Sequence, residues 1–326
     1  GSTPSTLLQK VSFENSTRSL PPRQSRPAVA ADAFCGHDGQ VPEGDTVWLA
    51  GRRLHAALAG QSLVQGDLRV PRYATRSLAG RQVLEVVSRG KHLLTRLSDA
   101  QTLHTHLRMD GAWHLYRRGQ RWTGGPAWQV RVVVATTSTQ AVGYRLPVVD
   151  LVPTSREDTV VGHLGPDLLG PDWDSARALV RLLAEPSRPI GPVLLDQQVM
   201  AGLGNLYRTE LCFLIGVTPW TPIGEVDDPA RIPALAHRLL MANRDRYEHI
   251  TTGRSGPAHH HWVFERRRCL RCGTAVSTAW QGPPTRQRIT YWCPSCQAGP
   301  SPPPGQVMPA GRRTSTGAAR SRRSPR

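Results

Sequence analysis

The sequence predicts a multi-domain α+β protein: an N-terminal β-sandwich with a flanking helix, then a helical part carrying a four-cysteine β-hairpin. Three observations predict it. Eight short alternating or β-branched runs punctuated by Gly and Pro fill residues 62–152. Helical signals replace them after the Leu-Gly-Pro-Asp-Leu string at 164–168. Two Cys-x-x-Cys pairs close the foldable chain at 269–296. At 326 residues the chain can bury one large core or two ordinary ones.

Residues 1–41 mix Ser, Thr, Pro, Arg and Ala without periodicity and read as a disordered or artefactual extension. From there Asp45 is expected to cap a helix in which Val47, Ala50, Leu54 and Leu58 share one face and Gly60 ends the run. Strands are expected over 62–70, 82–88, 92–97, 102–107, 112–116, 129–136, 141–146 and 148–152. Asp174 caps a helix reaching about 185, Pro192 opens one to about 199, and a third spans 205–215. Residues 229–250 read as a long helical tract with a break at Pro233. His259, His260 and His261 lie in a polar loop expected to be solvated. Beyond 299, Pro, Ser, Gly and Arg compose a basic tail expected not to fold.

The formal net charge is +17. The tail holds six arginines and no acid after residue 300, and taking six from seventeen still leaves +11 elsewhere. That excess points to a polyanionic partner, nucleic acid before membrane. Lys10 and Lys91 are the only lysines, so Lys91 is the single lysine of the foldable region. Arg is a poor proton donor and imine former, which makes a lone Lys either a site residue or a surface remnant. No apolar run approaches membrane-spanning length, and the chain is expected to be cytoplasmic and nucleoid-associated. Cys35 and Cys212 are expected to be inert.

Four strings carry chemistry. In Cys269-x2-Cys272-x20-Cys293-x2-Cys296, each pair suits a tight knuckle aiming two thiolates at one ion, and two knuckles make a closed, structural zinc site. Strands at 274–280 and 288–292 would form the hairpin between them. In the 196–207 string Asp-Gln-Gln-Val-Met-Ala-Gly-Leu-Gly-Asn-Leu-Tyr, Gly202 and Gly204 form a turn between helices. Such a turn is a plain connection or lets amides approach an anion at the next helix's positive end, with Asn205 donating to the same group. The string Arg89-Gly90-Lys91-His92 places the lone lysine on a strand turn. Finally, Arg108 and Met109 sit on a post-strand turn, where a long apolar side chain is either core or a wedge into a base stack.

With Pro42-Glu43-Gly44-Asp45 at the head of the first helix, these strings resemble the formamidopyrimidine-DNA glycosylase / endonuclease VIII family over about residues 42–298. Residues 148–151 and 158–170 look like an actinobacterial endonuclease VIII-like group. The resemblance implies a catalytic β-sandwich over 42–160 and a helix-two-turn-helix DNA-binding domain over 161–262. A zinc finger holding one structural Zn2+ over 263–298 and a basic tail over 299–326 follow. It implies that the Pro42 amine attacks C1′ of a damaged nucleotide, expels the base, and cuts the strand by β,δ-elimination through an imine. Glu43 would move protons, and Lys91, Asn205 and Arg288 would grip phosphates. Arg108 and Met109 would fill the void left by the flipped base. The partner would be double-stranded DNA with oxidised bases or abasic sites, and the protein a monomer. Oxidised pyrimidines are favoured because 253–262 looks too short and polar for the loop that covers 8-oxoguanine.

One feature opposes this chemistry. Pro42 follows Val41, and an amide nitrogen has no free lone pair with which to form an imine. If Val41 translates a GTG start codon and is removed, the amine is free. Otherwise the alternatives are a catalytically silent protein that binds lesions or abasic DNA, or a zinc-ribbon adaptor.

Overall fold

Alternating apolar side chains need a second layer to bury them, and in the computed structural model, which describes residues 34–35 and 42–308, two antiparallel sheets supply it. The first joins β1 (Phe34–Cys35), β6 (Ala112–Arg117), β8 (Thr139–Tyr144), β7 (Val130–Ala135) and β2 (Gln65–Leu68) in that order. The second runs β3 (Val83–Arg89), β4 (His92–Leu97), β5 (Gln101–His106), β9 (Val148–Pro153). Helix α1 (Gly44–Leu58) inserts the stripe Val47, Ala50, Leu54 and Leu58 into one core with Val86, Leu93 and Leu103 of one sheet and Leu115, Val132 and Ala141 of the other. Each fully buried Leu contributes about 2 kcal/mol.

Helix α2 (Asp158–Val161) follows the sandwich, its preceding residue tied back to the sheet. The Arg96 guanidinium donates to both oxygens of Glu157 at 2.8 and 2.7 Å, and Thr102 Oγ1 adds a third bond at 2.6 Å. Helices α3 (Ser175–Leu182), α4 (Ile190–Leu195), α5 (Asn205–Ile215) and α6 (Arg231–Asn243) then build a second core from Leu182, Val193, Leu211, Leu235 and Leu240. The hairpin β10 (Ser277–Gln281) and β11 (Arg288–Trp292) pairs Ser277 with Trp292 and Gln281 with Arg288.

The α+β class and the sandwich-then-helices order are as predicted, and several details differ. Glu43, not Asp45, is the cap of α1, two residues earlier than expected. Asp45 lies inside the first turn and turns its carboxylate inward. Helix α6 runs through Pro233 unbroken, because that residue sits in the first turn, where no intrahelical N–H is needed. His261 is not solvated: its Nε2 lies 2.9 Å from the His249 carbonyl and its ring meets Phe264 edge-on. The start of the expected tail is structured, since Met308 N donates to Thr278 O and Trp280 N to Gln306 O, adding a short edge beside β10. Cys212 is buried, and its thiol is pushed up to about 12 by that burial. The expectations for residues 1–33, 36–41 and 309–326 lie outside the described residues.

Candidate active site

Three turns, brought by different elements, meet at the N-terminus of α5. The first is Pro42-Glu43-Gly44-Asp45. Pro42 and Glu43 are buried, and Gly44 N donates to Gly202 O at 2.8 Å. A Cβ on Gly44 would stand 2.8 Å from Gly202 Cα, so the two backbones approach this closely only with glycine. The Glu43 carboxylate accepts from Gly204 N and Leu206 N, both at 2.7 Å, and from Tyr207 N at 3.4 Å. Those are the orphan amides at the positive end of a helix, the natural seat for an anion. Gly204 is the cap of α5, and a Cβ there would meet Glu43 Cδ at 2.5 Å. The anion at this terminus is therefore internal, and Gly202 N is likewise taken, by Gln197 Oε1 at 3.0 Å. The glycine amides expected to receive a phosphate instead hold Glu43 and the turn itself.

Burial pushes the Glu43 carboxyl above the usual range; Lys91 and His249 pull it back down, while Asp45 adds to the rise. A carboxyl held toward its protonated form in a dry site is suited to passing a proton to a reacting sugar and back.

The second turn, Gly90-Lys91, joins β3 to β4. Gly90 has φ +56°, donates to Asp167 Oδ2 at 2.8 Å, and would bring a Cβ to 3.0 Å from that of Ala201. This seats Lys91 beside the Gly202 turn. Burial depresses the Lys91 ammonium below its usual value, Glu43 opposes that fall and Arg288 adds to it. Among the described residues no hydrogen bond or ion pair holds Lys91, which leaves its donors for a ligand.

The third contributor is the hairpin. Asn205 Nδ2 donates to Ile289 O at 3.0 Å, and its Oδ1 accepts from Arg208 Nη2. Arg208 is fully buried and also reaches Gln281 Oε1 at 2.9 Å and Ile289 O at 3.1 Å. Arg288, exposed at the first residue of β11, is thereby held alongside Asn205. The Leu107–Gly111 turn follows β5, whose last residue His106 pairs with His92, next to Lys91. Arg108 adopts φ +48° there, and Met109 is 45% exposed rather than core. Arg145 braces the turn by donating to Asp110 O at 2.9 Å.

The four Sγ atoms of Cys269, Cys272, Cys293 and Cys296 lie within 4.8 Å of one another, with Cys269–Cys296 at 3.9 Å and Cys272–Cys293 at 3.5 Å. Tetrahedral zinc with bonds of about 2.3 Å requires sulfurs about 3.8 Å apart, so the donor set fits.

Sequence reasoning missed three groups. His249 Nε2 lies 3.2 Å from Asp45 Oδ1, and both side chains are buried. Arg208 and Glu210 lie inside the helix expected over 205–215 and are not among the expected site residues. Glu210 is buried and accepts from Trp262 N, Val263 N, Phe264 N and Thr251 Oγ1, fixing the chain's approach to the cysteine knuckles. The one available sign was that both charges lie on an otherwise apolar helix.

Comparison with known proteins gives the same outline. The family model described as the formamidopyrimidine-DNA glycosylase N-terminal domain matches residues 41–147, and that of the H2TH domain matches 164–239. The "Probable endonuclease 8 2" of Streptomyces coelicolor is 59% identical over 81% of this chain and 97% of its own length. The "DNA-(apurinic or apyrimidinic site) lyase Nei2" of Mycolicibacterium smegmatis is 44% identical over 79% of this chain and 99% of its own. A solved complex of Lactococcus lactis Fpg with abasic-site DNA superposes with a TM-score of 0.65 at 21% identity, over 79% of this chain and all of that one, a likeness of fold.

Proposed function

The chain belongs to the formamidopyrimidine-DNA glycosylase family and is a DNA glycosylase with AP lyase activity in base excision repair, and we propose that Pro42 is its nucleophile and oxidised pyrimidines its preferred substrates. The observation that carries the site assignment is the seating of Glu43 on the α5 amides beside Lys91, one residue from Pro42.

In this reading a chain beginning at Pro42 presents a secondary amine that attacks C1′. The C1′–base bond breaks and the base leaves with a proton. Ring opening of the sugar gives an imine on Pro42. Glu43 protonates the sugar oxygen as the ring opens and later takes part in returning the proton. The imine acidifies C2′, and successive eliminations expel the 3′ and then the 5′ phosphate. Lys91, Asn205 and Arg288 hold the phosphates around the reacting sugar, and Arg108 and Met109 occupy the gap in the stack. One Zn2+ on the four cysteines would fix the hairpin that carries Arg288; its role is structural, because four thiolates leave no open position. We assign the chemistry to residues 42–160 and the grip on duplex DNA to 161–262 and 263–298, acting as a monomer.

A second reading follows from the Val41–Pro42 bond: with the nitrogen acylated, the same surface binds abasic or damaged DNA without cutting it. Single-turnover assays on duplexes with thymine glycol or 8-oxoguanine, using chains that start at Pro42 and the full chain, separate these. The proposal expects cutting by the former, faster on thymine glycol. Preference for 8-oxoguanine would reverse the substrate assignment, and equal cutting by the full chain would remove Pro42 as nucleophile.

A further inference from the structure

The chemistry proposed above makes no use of Asp45, yet this carboxylate is among the most elaborately held groups in the molecule. It is 1% exposed and faces His249, itself 2% exposed, with 3.2 Å between Oδ1 and Nε2. Thr46 N donates to the same oxygen at 2.8 Å, the Tyr207 hydroxyl donates to the other, and Thr46 Oγ1 lies 3.0 Å from His249 Nε2. The Tyr207 ring also leans on the imidazole, with centroids 5.7 Å apart. The network thus ties the first turn of α1 to α5 and to the segment after α6.

A buried ion pair is weak evidence for stability, since an apolar pair of similar size does as well; what such a pair supplies is a fixed bearing. Here the bearing is that of the chain three residues from Pro42. Two other anchors of this turn point the same way, Gly44 N to Gly202 O and Glu43 to the α5 amides, and Glu43 N bonds Thr46 Oγ1 at 3.4 Å within the turn. Resting on the Pro42 chemistry proposed above, we propose that Asp45 and His249 are a positioning pair whose charge-assisted contact clamps the α1 entrance against α5 and aims the ring nitrogen of Pro42 at the sugar. Neither residue touches the reacting atoms. A displacement of about 1 Å at a nucleophile costs about 10²-fold in rate, so loosening this turn acts on chemistry more than on DNA affinity.

The groups facing His249 are Asp45 and Glu43 from the α1 entrance, Tyr207 from α5, and His261, which bonds the His249 carbonyl. The two carboxylates hold the imidazole above its usual value against the pull of burial, with Asp45 the stronger. The charge-assisted contact is therefore present below the raised value and weakens as pH rises through it.

The test uses chains beginning at Pro42 with Asp45→Asn, His249→Gln, both changes together, and Tyr207→Phe. Borohydride trapping on abasic duplex is followed from pH 6 to 10, with DNA affinity measured by anisotropy. Expected are trapping rates about tenfold or more lower in each charged-pair variant, and affinity within about threefold of the parent. The double variant should be no slower than the slower single one. The His249→Gln profile should lack the alkaline decline of the parent. Tyr207→Phe, which removes one hydroxyl from a folded site, should fall in between. Parent-like rates and pH profiles in the substituted chains, or rates that fall only in step with affinity, would overturn the pairing. An unsubstituted chain that fails to trap would instead remove the Pro42 reading on which it stands.

Discussion

Replacing Arg208 by Met should leave the fold nearly as stable as the parent while loosening its grip on abasic DNA. The guanidinium is fully buried, and burial brings its pKa from 12.5 down to about 10, with Cys212 and Glu43 opposing the fall. That fall corresponds to about 3 kcal/mol by which the folded state disfavours the charge. The value still lies above neutral pH, so the whole penalty is present there and would fade only as pH rises past it. Met fills much of the same volume and removes the penalty. It leaves Asn205 Oδ1 and Gln281 Oε1 without the donors they now have and takes one of two donors from Ile289 O, which keeps Asn205 Nδ2, at about 1 kcal/mol for each lost bond. The two effects nearly cancel, and stability should stay within about 2 kcal/mol of the parent, roughly 4 °C in Tm. Arg208→Ala adds a cavity and should cost about 2–5 kcal/mol. Both variants free Asn205 from one side, so affinity for abasic duplex should fall about tenfold, the equivalent of one charged hydrogen bond. Thermal melting and fluorescence anisotropy measure the two quantities. A Met variant as unstable as the Ala variant, or one with parental affinity, would show that Arg208 does not orient Asn205.

Met109→Ala, at an exposed turn, should change stability by less than about 0.5 kcal/mol and slow base release from duplex about tenfold, with smaller effect on an abasic site that needs no unstacking. Base-release and strand-cleavage rates measured side by side would show it, and equal loss on both substrates would argue against a wedge. Chelation of zinc, or Cys272→Ser, should release one zinc per chain and abolish DNA binding, because Arg288 rides on the hairpin joined to the knuckles. Retained binding in the zinc-free protein would contradict this. Glu157→Gln should cost about 2 kcal/mol at pH 7. Its carboxylate lies below its ordinary value of 4.5 because hydrogen bonds from Arg96 and Thr102 outweigh burial. The difference from the parent should therefore be full above 4.5 and vanish as pH falls through the depressed value. Melting temperatures at pH 7 and pH 3 test it; an unchanged gap at pH 3 would refute the sign.

The fold was legible where local chemistry and tertiary packing agree. Strand β4 and helix α5 occupy the predicted residues, the first because a β-branched and leucine-rich run is closed by turns, the second because Gly204 caps it and Gly216 ends it at φ +87°. Turns that carry chemistry were legible for the same reason: glycine at 90, 202 and 204 marks backbone that must pass close to something. What passes close was not legible. The Gly204 amide and the positive end of α5 face Glu43, some 160 residues earlier in the chain, and no local pattern encodes that pairing. His249 falls in the tract expected to be helical over 229–250, but α6 ends at Asn243, and contacts with Asp45 and Thr46 of α1 and Tyr207 of α5 bury the histidine. Arg208 is hidden in the same way, since three of its bonds go to a hairpin about eighty residues downstream or to a side chain the hairpin orients.

The nucleophile is the claim on which the rest depends. A chain beginning at Pro42 should be trapped with borohydride on abasic duplex, digested, and mapped by mass spectrometry for the residue that carries the sugar remnant. The remnant is expected on the nitrogen of residue 42, and on no residue when that nitrogen is acylated. A remnant on Lys91, or trapping that persists at full rate in the acylated chain, would contradict the account.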